Sequence, residues 1–225
     1  MKKVSAFVLV LCTLLSLAAC GRSGKKTDGD DNKPANIKAW TMHSFQKTVA
    51  SVRPKANDAS TDYTVYLAKG ETEGCQIAVY SDTDIKNVSL KLVSGNTEAL
   101  KPSMYAMFRV HRVGGKLYTD SLVPYYGRRL TLQKKVTLPF MLEYTADENT
   151  PAGEYKYAYE LTDGDGNVLA TYNVTVHVWD FMLPEDKTFA TAVGVYYGFF
   201  SIYVGSADEF YDEWYELMLE PNICS

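Results

Sequence analysis

Apolar and polar residues alternate in a series of short segments, and this alternation restricts the possible folds more than any other feature of the sequence. The segments occupy residues 63–67, 75–80, 88–93, 104–113 and 138–144, and turn-forming residues separate them. Side chains of a β-strand point alternately to its two faces, so the pattern predicts strands that bury one face. The sequence shows no helical periodicity before residue 200. We therefore predict a mainly β protein, an antiparallel β-sandwich.

A β-hairpin is predicted between residues 155 and 178. Two alternating segments, 155–161 and 168–178, flank the sequence Asp-Gly-Asp-Gly-Asn at 163–167. This acidic turn is also similar to the start of a calcium-binding loop. An EF-hand requires glutamate at its twelfth position, however, and counted from Asp163 that position is Val174. Gly and Asn favour the positive φ of a tight turn, so we predict a hairpin turn and no calcium site.

The pattern changes after Pro184. Residues 189–196 form a nearly continuous apolar run, which is typical of a strand buried on both faces. Ser206 and Glu209 have the spacing of a helix capping box, apolar residues follow at helical spacing, and Pro221 ends the pattern. One strand and one amphipathic helix of this kind form the opening unit of an α/β domain. We therefore assign residues 37–184 to the sandwich and 185–225 to the incomplete start of another domain.

The first twenty residues predict export. Lys2 and Lys3 precede an apolar run at 7–17, which is shorter than the roughly 20 residues that a membrane-spanning helix needs. The run ends in Leu-Ala-Ala followed by Cys20, which resembles the lipobox of bacterial lipoproteins. This resemblance implies a signal peptide at 1–19, a lipid on Cys20 and a membrane-anchored protein outside the cytoplasm. The alternative is an ordinary secretory signal in which the cysteine is coincidental. Residues 20–36 are polar and Gly-rich, and we predict a flexible tether.

Charge, cysteine and histidine content exclude several classes of function. Without Lys2 and Lys3 the chain has 21 basic and 27 acidic residues, which gives no electrostatic basis for binding nucleic acid. Cys75 and Cys224 form an isolated pair. They are either a disulfide or, as we favour, a buried residue and a thiol near the chain end. The histidines are far apart and lack ligand partners at metal-binding spacing, so we predict no metal and no cofactor.

A set of short sequence runs resembles the N-terminal β-sandwich of glycoside hydrolase family 123 and its uncharacterised relatives. The likeness spans residues 38–184 and rests on the order and spacing of the runs rather than on any single one. The runs are LAKGETEGCQ at 67–76, IKNV at 85–88, LYTDSLVP at 117–124, LPFML at 138–142, PAGEY at 151–155 and VWDFMLP at 178–184, preceded by Trp40, Ser44, Lys47 and Arg53-Pro54.

The resemblance implies that a (β/α)8 barrel follows the sandwich. In that family an adjacent Asp-Glu pair of the barrel hydrolyses β-linked N-acetylgalactosamine with help from the acetamido group of the substrate. Residues 185–225 resemble only the start of such a barrel, so we expect a chain truncated before the catalytic domain. The Asp-Glu pairs at 147–148, 208–209 and 212–213 are interpreted as solvated surface charge. No catalytic residue is carried over, and we lean against enzymatic activity for this chain.

Two functions remain open. The first is a lipid-anchored accessory module of a family 123-like glycosidase, whose partner barrel is missing or separately encoded. The alternative is a glycan-binding surface lipoprotein without an enzymatic role. Aromatic rings stack on the apolar faces of sugars, and the candidate glycan contacts are Tyr118, Tyr125 and Tyr126. A second aromatic cluster at 196–203 is interpreted as part of the barrel core.

Overall fold

The computed structural model describes residues 35–54 and 59–184, together with Glu213 and Glu216. Six strands form a larger sheet in which every neighbouring pair is antiparallel. Their spatial order is β1 (Ile37–His43), β4 (Glu71–Ser81), β9 (Thr137–Ala146), β6 (Pro102–Val113), β7 (Lys116–Pro124) and β2 (Thr48–Val49). The sequence-predicted strands at 75–80, 104–113 and 138–144 are confirmed here as β4, β6 and β9.

Five strands form the smaller sheet, in the order β3 (Asp62–Lys69), β11 (Val168–Met182), β10 (Gly153–Thr162), β5 (Ile85–Ser94) and β8 (Leu130–Leu132). β3 runs parallel to β11, so this sheet is mixed and the prediction of a wholly antiparallel sandwich is wrong at this edge. The chain passes from β3 into β4 of the other sheet through Gly70, whose φ is +79°. The alternation of apolar and polar residues shows which face of a strand is buried, but it does not show in which direction the strand runs. The direction of β3 depends on this crossover between the sheets.

Tyrosines fill much of the core of this β-sandwich-like fold. Tyr144, Tyr157, Tyr159 and Tyr172 are among its largest fully buried side chains. The hydroxyls of Tyr144 on β9 and Tyr159 on β10 share a hydrogen bond of 2.8 Å, and Tyr172 on β11 donates to the Ala78 carbonyl at 2.9 Å. These bonds join the two sheets across the core. The tyrosine rings bury apolar area, and each buried hydroxyl needs a hydrogen-bond partner because an unpaired one is unfavourable. Because these partners lie on the opposite sheet, the hydroxyl bonds also fix the position of one sheet relative to the other.

The predicted hairpin is confirmed, because β10 and β11 pair antiparallel from Gly153↔Val178 to Thr162↔Val168. In the turn, the Asp163 carboxylate accepts hydrogen bonds from the backbone N–H groups of Asp165 (3.0 Å) and Asn167 (2.8 Å) and from the Asn167 side chain (2.9 Å). Gly166 has a φ of +88°. Hydrogen bonds from Asn167 lower the pKa of Asp163. The acidic turn residue therefore stabilises the turn itself.

Several predictions fall outside the described residues. These are the signal peptide at 1–19, Cys20 and nearly all of the tether, the strand at 189–196, and Cys224. Of the predicted helix, only Glu213 and Glu216 are described, and both are helical and exposed. The helix and the barrel start therefore stay predictions. In the described part of the chain, no helix is long and apolar enough to cross a membrane.

Candidate functional site

The predicted glycan contacts do not form one site. Tyr118 is half-buried on β7, opposite Val49 of β2. Tyr125 and Tyr126 follow the other end of the same strand, after Pro124. The strand rise separates Tyr118 from Pro124 by about 20 Å. Tyr118 therefore lies apart from the other two, and a single sugar ring would not contact all three.

Tyr125 is a core residue. Only 3% of it is exposed, and its ring packs edge-on against Phe140 of β9 at a centroid distance of 5.2 Å. Its hydroxyl accepts a hydrogen bond from the Leu90 backbone N–H at 2.9 Å and donates to the Arg128 carbonyl at 2.8 Å. The ring contacts β9 of the larger sheet and the hydroxyl binds β5 of the smaller one, so Tyr125 joins the two sheets. This placement removes Tyr125 from the candidate sugar contacts.

Tyr126 is 90% exposed and borders an open groove. The groove has a volume of about 540 Å³ and is lined by Lys101, Pro102, Ser103, Met104, Tyr105, Pro124, Tyr125 and Tyr126. We call it the Tyr126 groove. It offers a free aromatic face beside an ammonium group and two side-chain hydroxyls, which is a combination suited to a polar, ring-shaped ligand.

Glu143 on β9 is the titratable residue next to this groove that the sequence analysis missed. Its backbone pairs with Ser103 of β6, and its side chain is half-buried beside Tyr105. Burial raises the pKa of the Glu143 carboxyl, and a hydrogen bond from the Tyr105 hydroxyl partly offsets that rise. The pKa of Tyr105 is raised in turn, first by burial and then by the charge of Glu143. The sequence analysis missed Glu143 because a glutamate in an alternating strand looks the same in the sequence as any residue on the solvent-facing side.

Two of the runs that carry the family resemblance contain residues with a structural role in this fold. The Gln76 amide donates hydrogen bonds to the carbonyls of Ser44 (2.6 Å) and Gln46 (2.9 Å), which hold the loop between β1 and β2. The Tyr155 hydroxyl donates to the Pro151 carbonyl at 2.6 Å and closes the PAGEY turn. Gln76 and Tyr155 thus each hold a loop beside a strand.

Another run, VWDFMLP, forms a bulge where β11 leaves the smaller sheet. Val178 pairs with Leu67 and Met182 with Lys69, so residues 179–181 lie opposite the single residue Ala68. The Ala68 N–H donates to the Glu71 carboxylate at 2.7 Å. Trp179, the first residue of this bulge, packs against two aromatic rings.

Those rings belong to Tyr66 and His177. The Trp179 ring lies 6.0 Å from Tyr66, nearly parallel at 21°, and 4.4 Å from His177 in an edge arrangement. Beyond Trp179, Phe181 and Met182 at the end of β11 and Leu183 directly after it are 39–54% exposed. We call the surface formed by Tyr66, Trp179, Phe181, Met182 and Leu183 the exit surface.

In the part of the chain that the structure describes, Cys75 and His43 have structural surroundings and no metal-binding cluster is present. Cys75 is fully buried, and burial raises the pKa of its thiol to about 12. His43 lies at the end of β1, where its Nδ1 accepts a hydrogen bond from the Phe45 N–H at 3.2 Å. Within 35–54 and 59–184, no three His, Cys, Asp or Glu side chains are placed to hold a metal ion.

Comparison with known proteins gives weak structural similarity only. No family model and no curated protein matches the chain. A family 123 glycoside hydrolase structure from Clostridium perfringens is similar at 13% identity and a TM-score of 0.49, over 66% of this chain. The chain spans 28% of the length of that hydrolase. The relationship to the hydrolase is therefore a distant structural one.

Two further structures share the β-rich architecture at lower scores. The N-terminal domain of PorA matches at 15% identity with a TM-score of 0.33, covering 63% of this chain and 97% of that one. The CooA pilin subunit from enterotoxigenic Escherichia coli matches at 11% identity with a TM-score of 0.34, covering 65% and 99%. Similarity at this level is confined to general architecture and indicates no activity.

Proposed function

We propose that this chain is a lipid-anchored accessory module, exported from the cytoplasm. In this proposal residues 1–19 are removed, Cys20 carries the lipid and residues 21–36 are the tether. The sandwich at 37–184 is a non-catalytic support for the polypeptide that follows it, as in a family 123-like glycosidase. Two acyl chains on one cysteine are sufficient for stable membrane anchoring.

One observation carries the accessory role: residues of the family-like runs make the bonds that build the sandwich. Gln76 holds the loop between β1 and β2, and Tyr155 closes the turn before β10. A side chain whose polar atoms are already paired with the backbone is not free to act on a substrate. The folding role of these two residues supports a non-catalytic sandwich.

The anchoring is tested by intact mass and membrane fractionation. The full chain is expressed in a bacterium that processes lipoproteins, and Cys20→Ser is the matched control. We expect the membrane-bound product to begin at Cys20 and to carry a diacylglycerol, and the control to lose both features. Identical masses and fractions for the two proteins would contradict the proposal. Hydrolysis of an aryl N-acetylgalactosaminide by the purified chain would contradict the non-catalytic role.

A second candidate function, glycan binding, is favoured by the Tyr126 groove. The Tyr126 ring is 90% exposed and stands beside an open volume of about 540 Å³. Sugars present apolar ring faces that stack on such an aromatic face and hydroxyls that bond to its polar neighbours. Lys101 and the hydroxyls of Ser103 and Tyr105 supply those polar neighbours.

This candidate is tested by titrating the chain with N-acetylated glycans. We expect Tyr126→Ala to weaken binding about three- to tenfold, the range that one aromatic stacking contact supports. Phe45→Ala is the matched control, because Phe45 is 81% exposed and lies outside the groove. A flat response from the folded wild-type chain would exclude glycan binding, and equal losses in the two variants would exclude the groove as its site.

A further inference from the structure

The exit surface is a concentrated apolar area of the sandwich. Tyr66 and Phe181 are 58% and 54% exposed, and Trp179, Met182 and Leu183 are 39–45% exposed. Several large apolar side chains left exposed on one stretch of the fold mark a surface that another group can cover. Trp179 packs against Tyr66 and against His177, so the surface includes ordered ring contacts beside the bulge at 179–181.

The continuity of the chain identifies the group that covers it. Leu183 is bound to β3 through a backbone hydrogen bond from its N–H to the Lys69 carbonyl at 2.9 Å. Four residues, 185–188, then separate Pro184 from the uncharged segment 189–207, which begins with the apolar run at 189–196 and is called the run below. Four residues extend at most about 14 Å. A short link of this kind gives the run an effective concentration at the exit surface in the millimolar range.

The composition of residues 189–207 is a second reason to expect that they cover the exit surface. Residues 189–207 include no charged side chain and are rich in Phe, Tyr, Val and Ala. Exposing such a run to water is unfavourable, so it requires an apolar surface to bury it. The exit surface is the apolar surface nearest to it along the chain.

We propose that residues 189–207 pack on the exit surface, with Trp179 as the central contact. This inference rests on the proposed accessory function and specifies how the sandwich supports the polypeptide that follows it: through the apolar faces of Tyr66, Trp179 and Phe181. The Lys69–Asp180 ion pair, with an Nζ–Oδ1 distance of 3.2 Å, forms a polar margin beside this contact.

The test measures how accessible Trp179 is in the full chain. A Trp214→Phe background leaves Trp179 and Trp40, and Trp40 is only 4% exposed and so contributes little to quenching by iodide. We expect weak quenching of Trp179 in this background. Replacing Val195 and Phe199 by Asp places charge in the run and should raise the iodide quenching constant at least threefold. Phe45→Asp, the same change on an exposed ring that is not part of the exit surface, should leave it unchanged.

A second variant changes the sandwich side of the contact, so that the test still decides if the double Asp variant misfolds. Phe181→Asp alters the sandwich side and should speed chymotrypsin cleavage within 189–207 several-fold, while the circular dichroism of the sandwich is retained. Full accessibility of Trp179 in the background protein, or unchanged quenching in the double Asp variant, would overturn the inference. Protection of Trp179 by a soluble N-acetylated sugar, without an effect of the Asp substitutions, would overturn it in favour of a sugar platform. Lipidation of Cys20 is unaffected by any of these variants, so the anchoring proposal stands or fails separately.

Discussion

The buried hydroxyl pair of Tyr144 and Tyr159 offers a sharp test of how the two sheets are joined. Both side chains are fully buried, and each hydroxyl has the other as its partner at 2.8 Å. Burial raises the pKa of both hydroxyls, so both remain protonated throughout the pH range of a stability measurement. Replacing either tyrosine with phenylalanine keeps the ring and removes one oxygen.

The expected energies follow from the asymmetry of buried hydrogen bonds. Each single Phe variant leaves one hydroxyl buried without a partner, which costs about 1–3 kcal/mol. The double variant removes both oxygens together, and replacing both partners with apolar groups is close to neutral. The singles should therefore lower the melting temperature by about 2–12 °C, and the double variant by less than either one.

Chemical denaturation of the wild type, both singles and the double variant completes the cycle. The account predicts a coupling of about 2 kcal/mol or more between the two positions. Tyr172→Phe is the comparison, because its hydroxyl bonds a backbone carbonyl and not another tyrosine. Additive single losses in the double variant would refute the reasoning, since they would show that the two hydroxyls are independent.

Three other predictions follow from buried or constrained groups. Burial raises the pKa of the Cys75 thiol to about 12, so the thiol stays protonated at pH 8 and a thiol reagent should react with it only on unfolding. Rapid reaction in the folded chain would contradict the buried position of Cys75. Burial also raises the pKa of Glu143 above its unfolded value, so its contribution to stability is greatest at low pH and is lost as pH rises through the folded pKa. Glu143→Gln should therefore gain stability relative to wild type between pH 4 and pH 7 in thermal melts, and a constant difference would count against this environment. Gly95 has a φ of +150°, and a Cβ there would lie 2.3 Å from the Tyr157 ring. Gly95→Ala should therefore lower the free energy of unfolding by about 1–3 kcal/mol in urea denaturation. An unchanged free energy would mean that the contact with Tyr157 is looser.

The strands and the hairpin were predictable because each buries one face. Val174, Val176 and Val178, for example, all lie in the core. Alternation carries no information on strand direction, so the parallel pairing of β3 with β11 was not predicted. The bulge at 179–181 was missed for a similar reason, because a register shift depends on the partner strand.

The candidate site was only partly predictable. Tyr125 and Tyr126 are adjacent residues of the same type, yet one is 3% and the other 90% exposed. Composition marks both as aromatic, but only the path of the chain after β7 decides which ring enters the core. Glu143 became visible only when β6 placed Tyr105 beside it.

Unfolding of residues 35–184 by themselves tests the central claim most directly, which is that the sandwich is a self-sufficient support. Its core is formed by side chains of both sheets within this range. The account predicts one cooperative urea transition, followed identically by the fluorescence of Trp40 and Trp179 and by circular dichroism. A gradual, non-cooperative loss of structure, or transitions that differ between the two probes, would contradict it.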